Sequence, residues 1–324
     1  MKICFLDNTL IPYTSHDLNS NILRGAETVL INLSESFSKL GHQVIVYNNC
    51  NINQIINNVS WFNIKSSMDK PYFDLAISNN DIRLFDKIYA KKKILISHSL
   101  QSIEKFIRKG QLFSYLRHKP KIALLGKYHK KNRNFFLRIF GNIILDYGIS
   151  DIFLNSEISQ KNLSNKAIFT SRPDRNMALL LDIWKTYIYP KNKLAQLYIT
   201  PAQNIKLESN IFFRNFTDTK NYINDLINSK VCLIPGHKAE LYCLVAEEAR
   251  ELCVPIVTLG IGSLSERVIH SHTGFIAKNY YEFAQYTLDL FYNDVLLNDI
   301  RNNLKKLRGS KTWISAAKNF IMNI

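Results

Sequence analysis

The sequence predicts an α/β protein of two doubly wound parallel-sheet domains facing each other across a cleft. Three observations carry that reading: short apolar runs recur along the whole chain, helical patterns separate them, and the alternation occurs twice around an irregular crossing near 141–166. A run that is apolar throughout is a strand buried on both faces. Strands alternating with helices form parallel βαβ units.

In the first half the apolar runs lie at 2–6, 43–47, 73–78, 93–97 and 121–126, with helices at 26–40 and 103–116. Gly41 suits the left-handed stop of the first helix, and a strand follows directly. In the second half the runs lie at 167–170, 195–200, 231–235 and 254–258, with helices at 177–187, 222–227 and 241–252. The expected domains are 1–155 and 156–310, with a C-terminal helix at 311–324 able to pack back on the first. There is no internal repeat and no low-complexity linker.

At 324 residues, 46% hydrophobic and 12% aromatic, the chain can bury sizeable cores, which excludes a disordered class. No segment approaches the ~20 apolar residues of a membrane span. The opening "MKICFLDN" reads as a first strand rather than a secretory leader. The expected location is cytoplasmic, peripheral on the inner face of a membrane at most. Cysteines 4, 50, 232, 243 and 253 form no CxxC pair and read as buried thiols. His270 and His272 have no thiol or carboxylate cluster beside them, so no metal site is expected.

A net charge of +16 predicts an anionic partner. Much of it lies in 105–138, from Lys105, Arg108 and Lys109 through Arg117, Lys119, Lys130 and Lys131 to Arg138, interleaved with Leu112, Phe113, Tyr115 and Leu116. Docking on an anionic membrane surface is one reading and a solvated basic face the other; nucleic acid is disfavoured.

In open α/β sheets ligands bind beyond the carboxyl ends of strands. The long loop after the first strand ends in Gly25, where a helix mouth would admit an anion or the chain would simply turn. No GxGxxG is present. His98 follows the strand 93–97, as a substrate contact or as a structural polar contact. After 167–170, "SRPDRN" offers Arg172 and Arg175. Their guanidinium forks suit a diphosphate; the alternative is pairing with Asp174 or solvent.

The most informative stretch is "KAELYCLVAEEARELCVPIV", 238–257, read as a helix beginning near Leu241 and running into a strand. Positions 241, 244, 245, 248 and 252 share one helical face; four are apolar and the fifth is Glu248. Glu247 falls on another face and is expected to be solvated. A lone carboxylate among apolar side chains is costly unless paired, so Glu248 calls for a polar ligand. A nucleoside diphosphate sugar at the helix mouth supplies one. The amides of Tyr242, Cys243 and Leu244 would hold its phosphates. Glu240 would reach the sugar and Glu248 the ribose, each accepting from vicinal hydroxyls.

This stretch resembles the E-x7-E signature of glycosyltransferase family 4, the retaining, glycogen-synthase-like group with two Rossmann-like domains in the GT-B arrangement. Glu240 and Glu248 match its two glutamates. The following "VPIVTLGIGSLSERVIHSHTGFI" matches in order, with Gly260, Gly262, Glu266 and Thr273-Gly274-Phe275. "SRPDRN" resembles the family's phosphate clamp, "RGAE" its N-domain glycine loop and "ILDYGISDIF" its interdomain turn. The resemblance implies transfer of a sugar, with retention, from a UDP- or GDP-linked donor to a hydroxyl acceptor; docking of the basic stretch 105–138 on anionic lipid would favour a glycan or lipid-linked acceptor in cell-envelope or surface glycan synthesis. The resemblance implies catalytic roles for Glu240 and His98. It implies donor binding by Gly25, Arg172, Arg175, Tyr242, Cys243, Leu244 and Glu248, with no metal and no cofactor beyond the nucleotide sugar. Two departures stand out. The family's Gly-Gly is Arg24-Gly25 here, and Leu241, Tyr242 and Cys243 replace smaller residues, which could narrow the donor loop. Two other classes stay open: a basic nucleic-acid- or membrane-binding protein, which gives Glu248 no role, and an epimerase-like enzyme on the same fold.

Overall fold

Alternate residues of a strand leave the backbone on opposite sides, and in this protein both sides are buried. Ala167 and Phe169 join one apolar cluster while Ile168 joins another; Val231 and Leu233 part from Cys232 in the same way. That two-sided burial is what continuous apolar runs require. The computed structural model describes the chain except residues 19–22, 24, 67–68, 159–162, 201–207 and 216–217. The chain divides into two units, Met1–Gly148 with Lys311–Ile324, and Ile149–Ser310.

The first unit runs β1 (Lys2–Leu6), α1 (Gly25–Lys39), β2 (Gln43–Asn48), β3 (Gln54–Ile56), β4 (Val59–Asn63), β5 (Tyr72–Asn79) and β6 (Tyr89–Ile96). It continues through α2 (Ile103–Arg108), α3 (Leu112–His118), β7 (Lys121–Leu124), α4 (Lys127–Asn132) and β8 (Asn142–Ile144). The strand order is β3-β4-β2-β1-β5-β6-β7-β8, parallel except for β3 against β4. The order reverses between β1 and β5, which marks the switch point where doubly wound sheets open a ligand crevice.

The second unit holds α5 (Asp151–Leu154), β9 (Lys166–Phe169), α6 (Met177–Ile183), β10 (Gln196–Ile199), β11 (Ile211–Phe213), α7 (Thr219–Ile227) and β12 (Val231–Leu233). Then follow α8 (Leu244–Glu251), β13 (Ile256–Thr258), β14 (Gly274–Ile276), α9 (Tyr280–Tyr292) and α10 (Asp294–Leu307). All pairs in its sheet, β11-β10-β9-β12-β13-β14, are parallel, and its switch point lies between β9 and β12. The chain then returns to the first unit as α11 (Trp313–Met322), which packs Phe320 on Phe37 and Trp313 on Tyr147. The first unit closes at Gly148, ahead of the boundary expected at 155.

Two helices differ from expectation. The single helix expected at 103–116 is two, because Gly110 adopts a left-handed φ of +62° and ends the first. The helix expected from Leu241 begins at Leu244, with Cys243 in an extended N-cap conformation. Residues before it are held as a turn: the Glu240 amide donates to the His237 carbonyl (2.9 Å), and the Ser263 amide donates to the Glu240 carbonyl (3.0 Å). All five cysteines are buried free thiols.

Candidate functional site

In the second unit the loops after β9 and β12 meet at the switch point. The Asn176 side chain, in left-handed backbone, donates to the Gly236 carbonyl and ties one loop to the other. The loop after β13 packs on the loop after β12 through Gly262, whose φ is +75°. A Cβ there would come within 2.3 Å of the His237 carbonyl oxygen and 3.0 Å of that of Glu240. Three strand ends thus fix the position of Glu240.

Glu240 accepts from Nε of Arg175 at 3.0 Å, and both side chains are largely withdrawn from solvent, 16% and 15% exposed. Burial raises the Glu240 carboxyl above its usual range, and the neighbouring Arg175 opposes that. Arg175 also reaches Asp174 (2.9 Å), and Arg172 grips the same carboxylate through two nitrogens, at 3.0 and 2.6 Å. The pairing with Asp174 is the alternative weighed for these arginines, and it holds in this structure. The Arg175–Glu240 pair was not expected. Arg172 is 67% exposed, so its ion pair contributes little. The result is a chain of alternating charge across the switch point, Glu240–Arg175–Asp174–Arg172, with the exposed Arg172 guanidinium at its outer end.

The glutamates of α8 are placed differently from expectation. Glu247, expected in solvent, is buried between Arg250 and Arg267, each at 3.0 Å. The inward face of α8 carries Ala246, Ala249 and Leu252, not the strip through Leu244, Val245 and Glu248, which is only half-buried. The cause is the later helix start, which places Leu241 to Cys243 in the turn, where they pack inward. Tyr242 lies under the Arg267 guanidinium, 3.9 Å from ring centre to carbon. Glu248 accepts from the Tyr222 hydroxyl (2.8 Å), which also meets Thr170 Oγ1 (3.3 Å) at the end of β9. Burial among protein atoms pushes its carboxyl up to about 7. Glu240 and Glu248 therefore flank the start of α8, where the first amides have no carbonyl partner inside the helix. With the helix starting at Leu244, Tyr242 and Cys243 lie before that start rather than within it.

In the first unit His98 is half-buried beyond β6. Its Nε2–H donates to Asn79 Oδ1 (2.9 Å), and its Nδ1 accepts from the Tyr147 hydroxyl (3.2 Å). Burial lowers its pKa to about 4, so the ring is neutral. Both nitrogens are engaged, which is the structural polar contact weighed for this residue. Asn79 in turn donates to Asp7 (3.3 Å), which accepts from Tyr13 (2.6 Å) at the first unit's switch point. Asp7, Asn79 and Tyr147 were missed from sequence, although an aspartate ending an apolar strand is a signal of this kind. Gly25 is the exposed first residue of α1; Arg24 lies outside the described residues.

The basic stretch folds around Tyr115, whose ring meets Phe106, Phe136 and Phe140. Outside that aromatic core, Ile107, Phe113, Leu116, Phe135 and Ile139 are exposed, together with Arg108, Lys109, Arg117, Lys119, Lys127, Lys130, Lys131 and Arg138. Among the described residues no helix is long and apolar enough to cross a membrane.

Residues 191–307, inside the second unit, match the family model "Glycosyl transferases group 1". No curated protein matches the chain at a significant level. Among solved structures the chain is similar to Anabaena HepE in complex with UDP, at 14% identity and a TM-score of 0.71, with 99% of each chain covered. It is also similar to WaaG, a glycosyltransferase involved in lipopolysaccharide biosynthesis, at 12% identity and TM-score 0.68, covering 98% of this chain and 97% of that one. A third is sucrose-phosphate synthase from Thermosynechococcus elongatus, at 12% identity and TM-score 0.67, covering 99% and 98%. At these identities the likeness establishes the fold, GT-B, with two parallel-sheet units in one chain.

Proposed function

We propose that this protein is a retaining glycosyltransferase that moves a sugar from a nucleotide diphosphate sugar to a hydroxyl acceptor in cell-envelope or surface glycan synthesis. The observation that carries the reading is the Arg175–Glu240 ion pair at the mouth of α8, at the switch point of a sheet whose C-terminal part matches the group 1 model. The donor diphosphate would lie against Arg172, Arg175 and the backbone of Tyr242, Cys243 and Leu244. Glu240 would position the sugar and Glu248 would accept from the ribose hydroxyls. As the glycosidic bond breaks, negative charge develops on the diphosphate. Fixed guanidinium groups and helix-start amides stabilise it without reorganising, often the largest catalytic contribution. In a retaining transfer of this type the acceptor hydroxyl attacks on the face the diphosphate leaves, and its proton passes to a departing phosphate oxygen. In this account the stabilisation needs no metal ion, so turnover should withstand a chelator.

In the first unit, Gly25 and His98 are proposed to serve the sugar or acceptor. The UDP and UDP-glucose complexes of HepE and the involvement of WaaG in lipopolysaccharide biosynthesis support a UDP-linked donor and an envelope acceptor. The test is a thermal-shift panel of UDP- and GDP-sugars followed by product analysis. A ligand at 100 times its Kd stabilises by ~2.7 kcal/mol, enough to rank donors. Transfer requires an acceptor, whereas an epimerase would convert the donor alone. A panel in which no nucleotide sugar stabilises the protein would overturn the reading.

A further inference from the structure

We infer that a recess in the first unit, beside His98, is a binding site for the anionic head of the acceptor, a phosphate or carboxylate carried on a sugar. This rests on the transferase reading for the word acceptor, but the site itself stands on geometry.

The recess is lined by Asn80, Ser97, Gln101, Lys105, Lys109 and Gln111, at the ends of β5 and β6 and the start of α2 and α3. It is small and open to solvent, so it takes the head of a ligand rather than a whole ring. Gln101 is 5% exposed, yet both its amide nitrogen and its carbonyl oxygen are enclosed and meet no partner among the described residues. A buried amide with both ends unmet is costly. Its neighbour Gln111 shows the contrast: its nitrogen donates to the Asn80 carbonyl (3.2 Å) and its oxygen accepts from the Ile82 amide (3.4 Å). Gln101 is therefore available for something that both accepts and donates.

Charge decides which ligand. Lys105 reaches into the recess, donating to Ser99 Oγ and the Leu100 carbonyl. Burial first, then Lys109 and Arg108, lower its pKa. The only carboxylate in the stretch 98–111, Glu104, is exposed and does not line the recess. Crowded cations without a counter-charge favour an anion. One oxygen of a phosphate or carboxylate would accept from Gln101 Nε2 and Lys105 Nζ, and a neighbouring sugar hydroxyl would donate to Gln101 Oε1.

The experiment is calorimetric titration of the full chain with glucose, glucose 6-phosphate, glucuronate and inorganic phosphate, alongside UDP-glucose. The sugar phosphate or the sugar acid should bind at least about tenfold tighter than glucose, consistent with a charge-assisted hydrogen bond. Comparing those two arms identifies the anion. Gln101→Leu, which leaves net charge unchanged, should abolish that preference while UDP-glucose affinity stays the same. Lys109→Gln, at an exposed position, should weaken it several-fold and serves if the first variant does not fold. Equal binding of glucose and its anionic derivatives, or full anion affinity in both variants, would overturn the site. If the anions bind but no nucleotide sugar does, the transferase reading falls and the anion site stands.

Discussion

Among the described residues Glu248 keeps one hydrogen bond, from Tyr222, and its carboxyl pKa is pushed up to about 7 by burial. Its folded pKa lies above the unfolded value, so the folded state favours the protonated form. Its stabilising contribution is complete in acid and is lost as pH rises through 7. Glu248→Gln should therefore gain on the wild type between about pH 5 and 8, by roughly 1–3 kcal/mol in denaturant unfolding; parallel pH profiles would contradict this. The ribose contact runs the other way, because hydroxyls donate best to the ionised carboxylate. Donor affinity of the wild type should rise through pH 7, while Glu248→Gln should bind all donors more weakly and without that rise. The arginines separate by burial: Arg175 is 15% exposed and paired with Glu240, Arg172 is 67% exposed. Arg175→Ala should lower kcat/KM by about 10²–10³, the scale of losing a preorganised charge donor. Arg172→Ala should cost about tenfold or less.

At the scale of elements, the site depends on three loops holding one another. Gly262→Ala would force a side chain into left-handed backbone and against the His237 carbonyl, only 2.3 Å away. The protein should lose about 1–3 kcal/mol in thermal unfolding, and nucleotide affinity should fall because Glu240 shifts with its loop. An unchanged melting temperature and affinity would show that the loop does not set the site. This coupling also marks what the sequence could and could not show. Gly262, Glu240, Glu248 and the arginine loop could be singled out as candidates because a glycine after a strand, a carboxylate among apolar residues and paired arginines are signals local in sequence. The core strands were legible because two-sided burial writes continuous apolar runs. The edge strands β3, β8 and β11 were not, since three-residue segments such as Gln54–Ile56 pack one side at most and carry no pattern. Nor was the start of α8, since the turn before it is held in part by the Ser263–Glu240 backbone bond, a contact remote in sequence. The burial of Glu247 depends in the same way on Arg267, and the Arg175–Glu240 pair joins two loops that no local periodicity connects.

For the whole molecule the dominant property is a net charge of +16. Part of it lies in the same stretch of chain as the exposed side chains Phe113 and Phe135, 75% and 78% accessible, and Arg138 sits over the Phe135 ring. Exposed apolar groups interspersed along the chain with exposed cations suit the boundary of an anionic bilayer, with about 1 kcal/mol per basic residue near the surface. Sedimentation with vesicles containing anionic lipid should carry the protein down at low salt and release it at high salt. Phe113→Ser with Phe135→Ser should weaken retention. Equal sedimentation with neutral vesicles would contradict a charge-driven contact. The proposed chemistry converges on one place in the second unit, the start of α8 between Glu240 and Glu248. The most direct measurement is a crystal structure with a bound nucleotide sugar. The diphosphate is expected within hydrogen-bond distance of Arg175 and the Leu244 amide, with the ribose on Glu248. A nucleotide seated elsewhere, with the Arg175–Glu240 pair and the Tyr222–Glu248 bond undisturbed, would contradict it.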